Sequence, residues 1–173
     1  MQGRRHHAAP RAGLVPALPL PLPPLLFLLL VLGASGAQAQ QIVLGTTRNL
    51  DFGRFVAGSG GTITISPTGA RSRTGGVILL NSPSAVQAGF SVGRNGNGGY
   101  NKGVIISMPS NGQIRLSNGS NSMAVSGFTS SPSNMATLPP NGMSLSVGAT
   151  LTVAPNQAPG TYSGSFSLTV NFQ

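Results

Sequence analysis

Beyond residue 40 the chain alternates between apolar and polar residues over short stretches. A period of two sends successive side chains to opposite faces of a strand, one toward a core and one toward water. Thr62-Ile63-Thr64-Ile65-Ser66 alternates in this way, and so does Met123-Ala124-Val125-Ser126-Gly127-Phe128. Met143-Ser144-Leu145-Ser146-Val147 continues the pattern to Leu151-Thr152-Val153. Shorter apolar runs at residues 77–80, 90–92, 104–108 and 113–116 predict further strands. A final strand is predicted over residues 160–173.

Turn signals separate these runs. Asn-Gly occurs at residues 95–96, 97–98, 111–112, 118–119 and 141–142, and this dipeptide suits hairpins because both residues tolerate positive φ. Prolines at 67, 83, 109, 132, 139, 140, 155 and 159 leave no long helical window. Residues 129–141 read as the longest loop. Many short strands at close spacing predict an all-β fold, an antiparallel β-sandwich.

The first forty residues have a different character. Arg4, Arg5 and Arg11 precede a Pro/Leu-rich stretch and the apolar run Leu25-Leu26-Phe27-Leu28-Leu29-Leu30-Val31-Leu32. A membrane-spanning helix needs about 20 apolar residues, and Pro16, Pro19, Pro21, Pro23 and Pro24 interrupt a longer one. Ala37-Gln38-Ala39 then has the small-x-small form of a signal-peptidase site. The reading is a signal peptide over residues 1–39, export through the Sec pathway, and one mature domain over residues 40–173. Its destination would be the periplasm in transit, then the cell surface.

Composition narrows the chemistry. The whole chain has Lys+Arg 10 against Asp+Glu 1, with no cysteine or tryptophan. Three arginines lie in the leader. The rest of the chain keeps Arg48, Arg54, Arg71, Arg73, Arg94, Arg115 and Lys102 against Asp51. These bases are scattered rather than interleaved with aromatics, so no nucleic-acid partner is expected. Both histidines are in the leader, and the sole side-chain carboxylate is Asp51. General acid–base work, catalytic triads and paired-carboxylate chemistry lack their residues. The donor set for a zinc or calcium site is missing too. The expectation is a protein that is not an enzyme, with no cofactor, metal or small-molecule substrate. Asp51 reads as a strand-end residue beside Arg48 or Arg54. With so few titrating groups, the melting temperature should be nearly flat from about pH 3 to 8.

The C-terminal run carries the strongest functional signal. Tyr162, Phe166, Leu168, Val170 and Phe172 share one face; Ser163, Ser165, Ser167, Thr169 and Asn171 share the other. The alternation continues to the last residues of the sequence. With the aromatic Phe172 penultimate and Gly160 fourteenth from the end, this run resembles that of chaperone–usher pilus subunits. More of the chain resembles a pilin-like family of secreted bacterial proteins, the domain-of-unknown-function 4402 family. The carrying segments are LDFGRFVAGSGGTITISPTGAR (50–71), GGVILL (75–80) and VGATLTVAPNQAPGTYSGSFSLTVNF (147–172). Spore coat protein U-like domains are a more distant likeness.

The resemblance implies an immunoglobulin-like sandwich lacking one strand, which a partner donates in trans. The groove would be bordered by Gly160, Tyr162, Phe166, Leu168, Val170 and Phe172. Its implied partners are a periplasmic chaperone, an outer-membrane usher, and pilus subunits, either copies of this chain or others. Ile42 and Leu44 are either a donor segment for a neighbour or the start of the domain's own first strand. The expected function is a structural subunit of a fimbria-like or other cell-surface assembly. The alternative is a monomeric secreted binding module for a glycan or protein, using Tyr100 in the loop 94–102.

Overall fold

The computed structural model describes residues 41–96 and 101–173. The expected signal peptide, residues 1–39, and Tyr100 lie outside the described residues. Twelve strands follow in chain order: β1 (Ile42–Arg48), β2 (Phe55–Val56), β3 (Gly61–Ile65), β4 (Arg71–Gly75), β5 (Ile78–Leu79), β6 (Ala88–Arg94), β7 (Lys102–Ser107), β8 (Ile114–Asn118), β9 (Asn121–Ser131), β10 (Met135–Leu138), β11 (Met143–Val153) and β12 (Thr169–Phe172). Every pairing among them is antiparallel, and no helix occurs among the described residues. The predicted class, an all-β antiparallel sandwich, is the observed one.

The long strand β11 organises the larger sheet. Its first half pairs with β6, from Met143↔Val92 to Val147↔Ala88. Its second half pairs with β3, from Ala149↔Ile65 to Val153↔Gly61. The opposite edge carries β9 across the middle, with a register shift between Gly148 and Thr150. β1 extends the sheet beyond β6, β4 beyond β3, and β8 beyond β9. A three-stranded sheet, β10-β7-β12, faces it, and β2 and β5 form a separate ribbon.

The side-chain period sets the core. Leu145, Val147, Ala149, Leu151 and Val153 of β11 are all buried, as are Ile63, Ile65, Val125, Val92 and Val104. Fully burying such a side chain is worth roughly 1.5–3 kcal/mol. On the outer face β11 presents Ser144, Ser146, Thr150 and Thr152, with the Thr64 and Thr150 hydroxyls in contact at 2.9 Å. No polar or charged side chain is buried among the described residues.

Two apolar clusters result. One is built on Ala88, Phe90, Val92, Val104, Ile106, Leu138, Leu145, Val147 and Val170; Ile42 and Phe172 pack against it. The other is built on Phe52, Ile63, Ile65, Val77, Met123, Val125, Ala149, Leu151 and Val153.

Two expectations are corrected here. Residues 129–141 are not a loop: β9 runs on to Ser131 and β10 occupies Met135–Leu138. Ser130 pairs with Val147 and Ser131 with Ser146, so a free edge of β11 recruits a polar segment that has no pattern of its own. The final strand is also shorter than 160–173, since regular pairing covers only Thr169–Phe172.

Candidate functional site: an open groove between two strand edges

The second cluster is roofed on two sides by extended segments that do not meet. The first wall is residues 50–57. At Asp51 the N–H donates to the Val86 carbonyl and the Asp51 carbonyl accepts from the Val86 N–H, both at 2.9 Å. The Leu80 N–H donates to the Arg54 carbonyl at 3.0 Å, and β2 pairs with β5 through Phe55↔Leu79 and Val56↔Ile78. All these bonds use one edge. Arg71 stitches that edge together, its guanidinium donating to the carbonyls of Leu80 (3.0 Å) and Arg54 (2.8 Å). Burial lowers the Arg71 pKa from its ordinary value, and the charge of Asp51 acts the other way. Asp51 thus acts electrostatically on Arg71, and it lines the groove together with Arg48 and Arg54. The Asp51 carboxylate accepts the Gly53 N–H at 2.6 Å.

The second wall is residues 160–166. It is held from behind by β8: Ser163 exchanges backbone hydrogen bonds with Ser117, at 2.8 and 3.0 Å. Gly164 lies against the Arg115 carbonyl, where a Cβ would collide. Gly160 has φ +149, and the Asn118 amide occupies the space its Cβ would take. Only glycine fits that position without strain. Tyr162 anchors the wall: its O–H donates to the Ala158 carbonyl (2.7 Å) and accepts from Gln157 Nε2 (2.8 Å).

The two walls run in opposite directions. At one end the Asn156 N–H donates to the Gly58 carbonyl (3.2 Å), joining the end of the first wall to the approach to the second. At the other end Leu50 and Phe166 pack against the same apolar cluster. Between them lies a groove of about 1200 Å³ whose floor includes Ile114, Leu116, Met123, Val125 and Leu151. That exceeds the ~300–1,000 Å³ usual for a small-ligand pocket.

The inner edges of both walls have no backbone partner among the described residues. Backbone groups alternate from one edge of a strand to the other. The Asp51 groups point to Val86, so those of Leu50 and Phe52 point into the groove. Ser163 points to Ser117, so Tyr162 and Gly164 point into it as well. Residues 164–168 make no backbone hydrogen bond among the described residues. This explains the shortened last strand: Tyr162, Phe166 and Leu168 keep the predicted half-buried face, but within residues 162–168 only Ser163 has a backbone partner among the described residues. Apolar surface also gathers at the first wall, where Val56, Ile78 (55 % exposed) and Leu80 face outward.

The sequence-derived residues are distributed along this arrangement. Gly160 and Tyr162 stand in the second wall. Phe166 packs against the cluster around Phe90, edge-on to that ring with centroids 6.1 Å apart, and lies 5.0 Å from Phe128, which packs against both clusters. Leu168 is half-buried beyond it. Val170 and Phe172 lie on β12, paired with Ile106 and Val104 of β7, away from the open stretch. Ile42 and Leu44 belong to β1, paired with Arg94 and Val92 of the same chain. Ile42 is half-buried and Leu44 38 % exposed. The first wall and Arg71 were missed. Their signal was Leu50-Asp51-Phe52, two apolar residues flanking a polar one, too short to stand out as a strand.

The fold defines an antiparallel β-sandwich with a strand-sized opening over half of its core. The family described as Domain of unknown function (DUF4402) matches residues 42–172, and the chain belongs to that family. No curated protein and no solved structure matches the chain.

Proposed function

We propose that this domain is a structural subunit of a fimbria-like cell-surface assembly, joined to its neighbours by strand addition and acting by binding rather than catalysis. The observation that carries the reading is the pair of facing, unpaired edges over an apolar floor. An extended segment laid between them satisfies the free N–H and C=O groups of both walls, and its alternate side chains cover the half-buried Leu50, Ile114 and Leu116. Main-chain bonds give affinity in such additions, and the pockets give specificity. An uncovered edge is a liability that proteins normally blunt; here it is retained above hydrophobic surface.

Two further features support an immunoglobulin-like, pilin-like sandwich. The Tyr162 hydroxyl reaches back four residues to a backbone carbonyl, the geometry of a tyrosine corner. The C-terminal run forms one border of the opening, as the resemblance to pilus subunits implies. On this reading the leader directs export, a periplasmic chaperone fills the groove in transit, and an usher exchanges it for a subunit strand at the surface.

The test is to express the full tagged chain in a bacterial envelope and look for complexes that survive detergent and dissociate on boiling. Leu116→Asp, at the groove floor, should abolish them. Ile105→Asp, on the exposed side of β7, should leave them intact. A wild-type chain found only as a free monomer would overturn the proposal. So would complexes indifferent to Leu116→Asp in a protein whose circular dichroism stays native.

A further inference from the structure

We infer that the groove accepts a strand from a different, acidic protein rather than residues 41–48 of a second copy of this chain. The inference rests on the strand-addition reading and specifies the occupant. Two observations carry it.

The first is the phase of β1. Its apolar residues are the consecutive Ile42, Val43 and Leu44. Strand geometry puts only Ile42 and Leu44 on one face, and the next residues in phase are Thr46 and Arg48. The groove presents the half-buried apolar side chains of Leu50, Phe55, Ile114, Leu116 and Phe166. Seating β1 there brings Thr46 and Arg48 over apolar surface, and an unpaired buried guanidinium is strongly disfavoured. β1 is also engaged at home, from Ile42↔Arg94 to Arg48↔Gly89. Releasing it strips the edge of β6 and uncovers the cluster around Phe90 and Val92.

The second is charge. Arg48 and Arg54 line the groove, and the guanidinium of Arg71 sits on the Arg54 carbonyl just behind the wall. Asp51 is the single acid there, and its carboxylate is committed to the Gly53 N–H. The outward-facing residues of an inserted strand therefore meet a net positive rim. Beyond the rim, Arg73, Arg115 and Lys102 find no other acid in the sequence. Two copies of this domain repel one another, whereas a strand with Asp or Glu at its outward positions is drawn in.

The experiment uses the purified protein and four fluorescent peptides: alternating Val and Glu, Val and Ser, Val and Lys, and the sequence QIVLGTTR of residues 41–48. Anisotropy titrations are run at about 0.01 M and about 1 M salt, where the screening length falls from ~30 to ~3 Å. At low salt the Val/Glu peptide should bind about tenfold more tightly than the Val/Lys peptide, the effect of one or two exposed ion pairs on each side of neutral. The gap should close at high salt. Residues 41–48 should bind more weakly than Val/Ser. Arg54→Glu, whose exposed side chain makes no hydrogen bond among the described residues, should reverse the Glu/Lys preference without changing the fold. Equal affinity for the Glu and Lys peptides, or binding of residues 41–48 as tightly as Val/Ser, overturns the inference and leaves strand addition standing. If no peptide binds at either salt, strand addition itself fails, and this inference with it.

Discussion

The two halves of the sandwich bury similar apolar side chains but finish them differently. Around Phe90, Val104 and Leu145 the core is closed: β12 pairs with β7, Val170 is 8 % exposed, and Ile42 covers the margin. Around Phe52, Met123 and Leu151 the same C-terminal run continues toward its beginning, but no described residue fills the space between residues 50–57 and 160–166. One strand's worth of backbone is the difference. On the strand-addition reading, stability and binding are divided between the ends of a single core: the closed end holds the domain together, and the open end keeps hydrogen-bonding capacity beside the half-buried Ile114 and Leu116.

Substitution at matched leucines is the strongest way to break this comparison. Leu145 is 1 % exposed in the closed half, and Leu145→Ala should cost about 2–5 kcal/mol in urea unfolding followed by circular dichroism. Leu116 is half-buried at the groove floor. Leu116→Ala should cost about 1–2 kcal/mol, because its side chain is already partly hydrated and leaves no closed cavity. Equal losses at the two sites would mean that the groove is shut in solution. A finer probe is Tyr162→Phe, which removes the hydroxyl bonds to Ala158 and Gln157. It should cost about 1 kcal/mol and speed amide hydrogen exchange across residues 160–166 while leaving β12 unchanged.

The smallest expected effect is that of pH, and it should be equally small for both halves. A base with a depressed folded-state pKa stays charged below both its folded and unfolded values. The burial cost of Arg71 is therefore constant through acid and neutral pH, and it is relieved only as the pH climbs through the folded value far into the alkaline range. No histidine lies among the described residues and Asp51 is the sole side-chain carboxylate. The melting temperature should move by less than ~10 °C between about pH 3 and 8. A steeper dependence confined to acid would identify the Asp51–Arg71 region as a stronger brace for the first wall than its geometry indicates.

The parts of the fold that were legible are those in which burial writes a period into the sequence. Ile63 and Ile65, Met123 and Val125, and Leu145 through Val153 show it because one face of each strand is wholly enclosed. Ser130 and Ser131 do not, since their place in β9 comes from the β11 edge alone. The apolar run at 77–80 carries no alternation. It predicted a strand without showing which face is buried: β5 covers Ile78–Leu79, with Val77 buried and Ile78 and Leu80 exposed beside the first wall. Of the groove, one wall could be read, because Tyr162, Phe166 and Leu168 keep the alternation. The other could not. Leu50 and Phe52 are followed by Gly53, which breaks the rhythm, and what makes them a wall is Val86, far along the chain.

The opposed directions of the two walls have a consequence for anything built from this domain. A strand seated between them is parallel to one and antiparallel to the other, whichever end enters first, so it meets slanted, evenly spaced bonds on one side and perpendicular pairs on the other. The two senses of insertion are therefore never equivalent. On the strand-addition reading, the preferred sense of insertion fixes which way the protein that carries the strand must point.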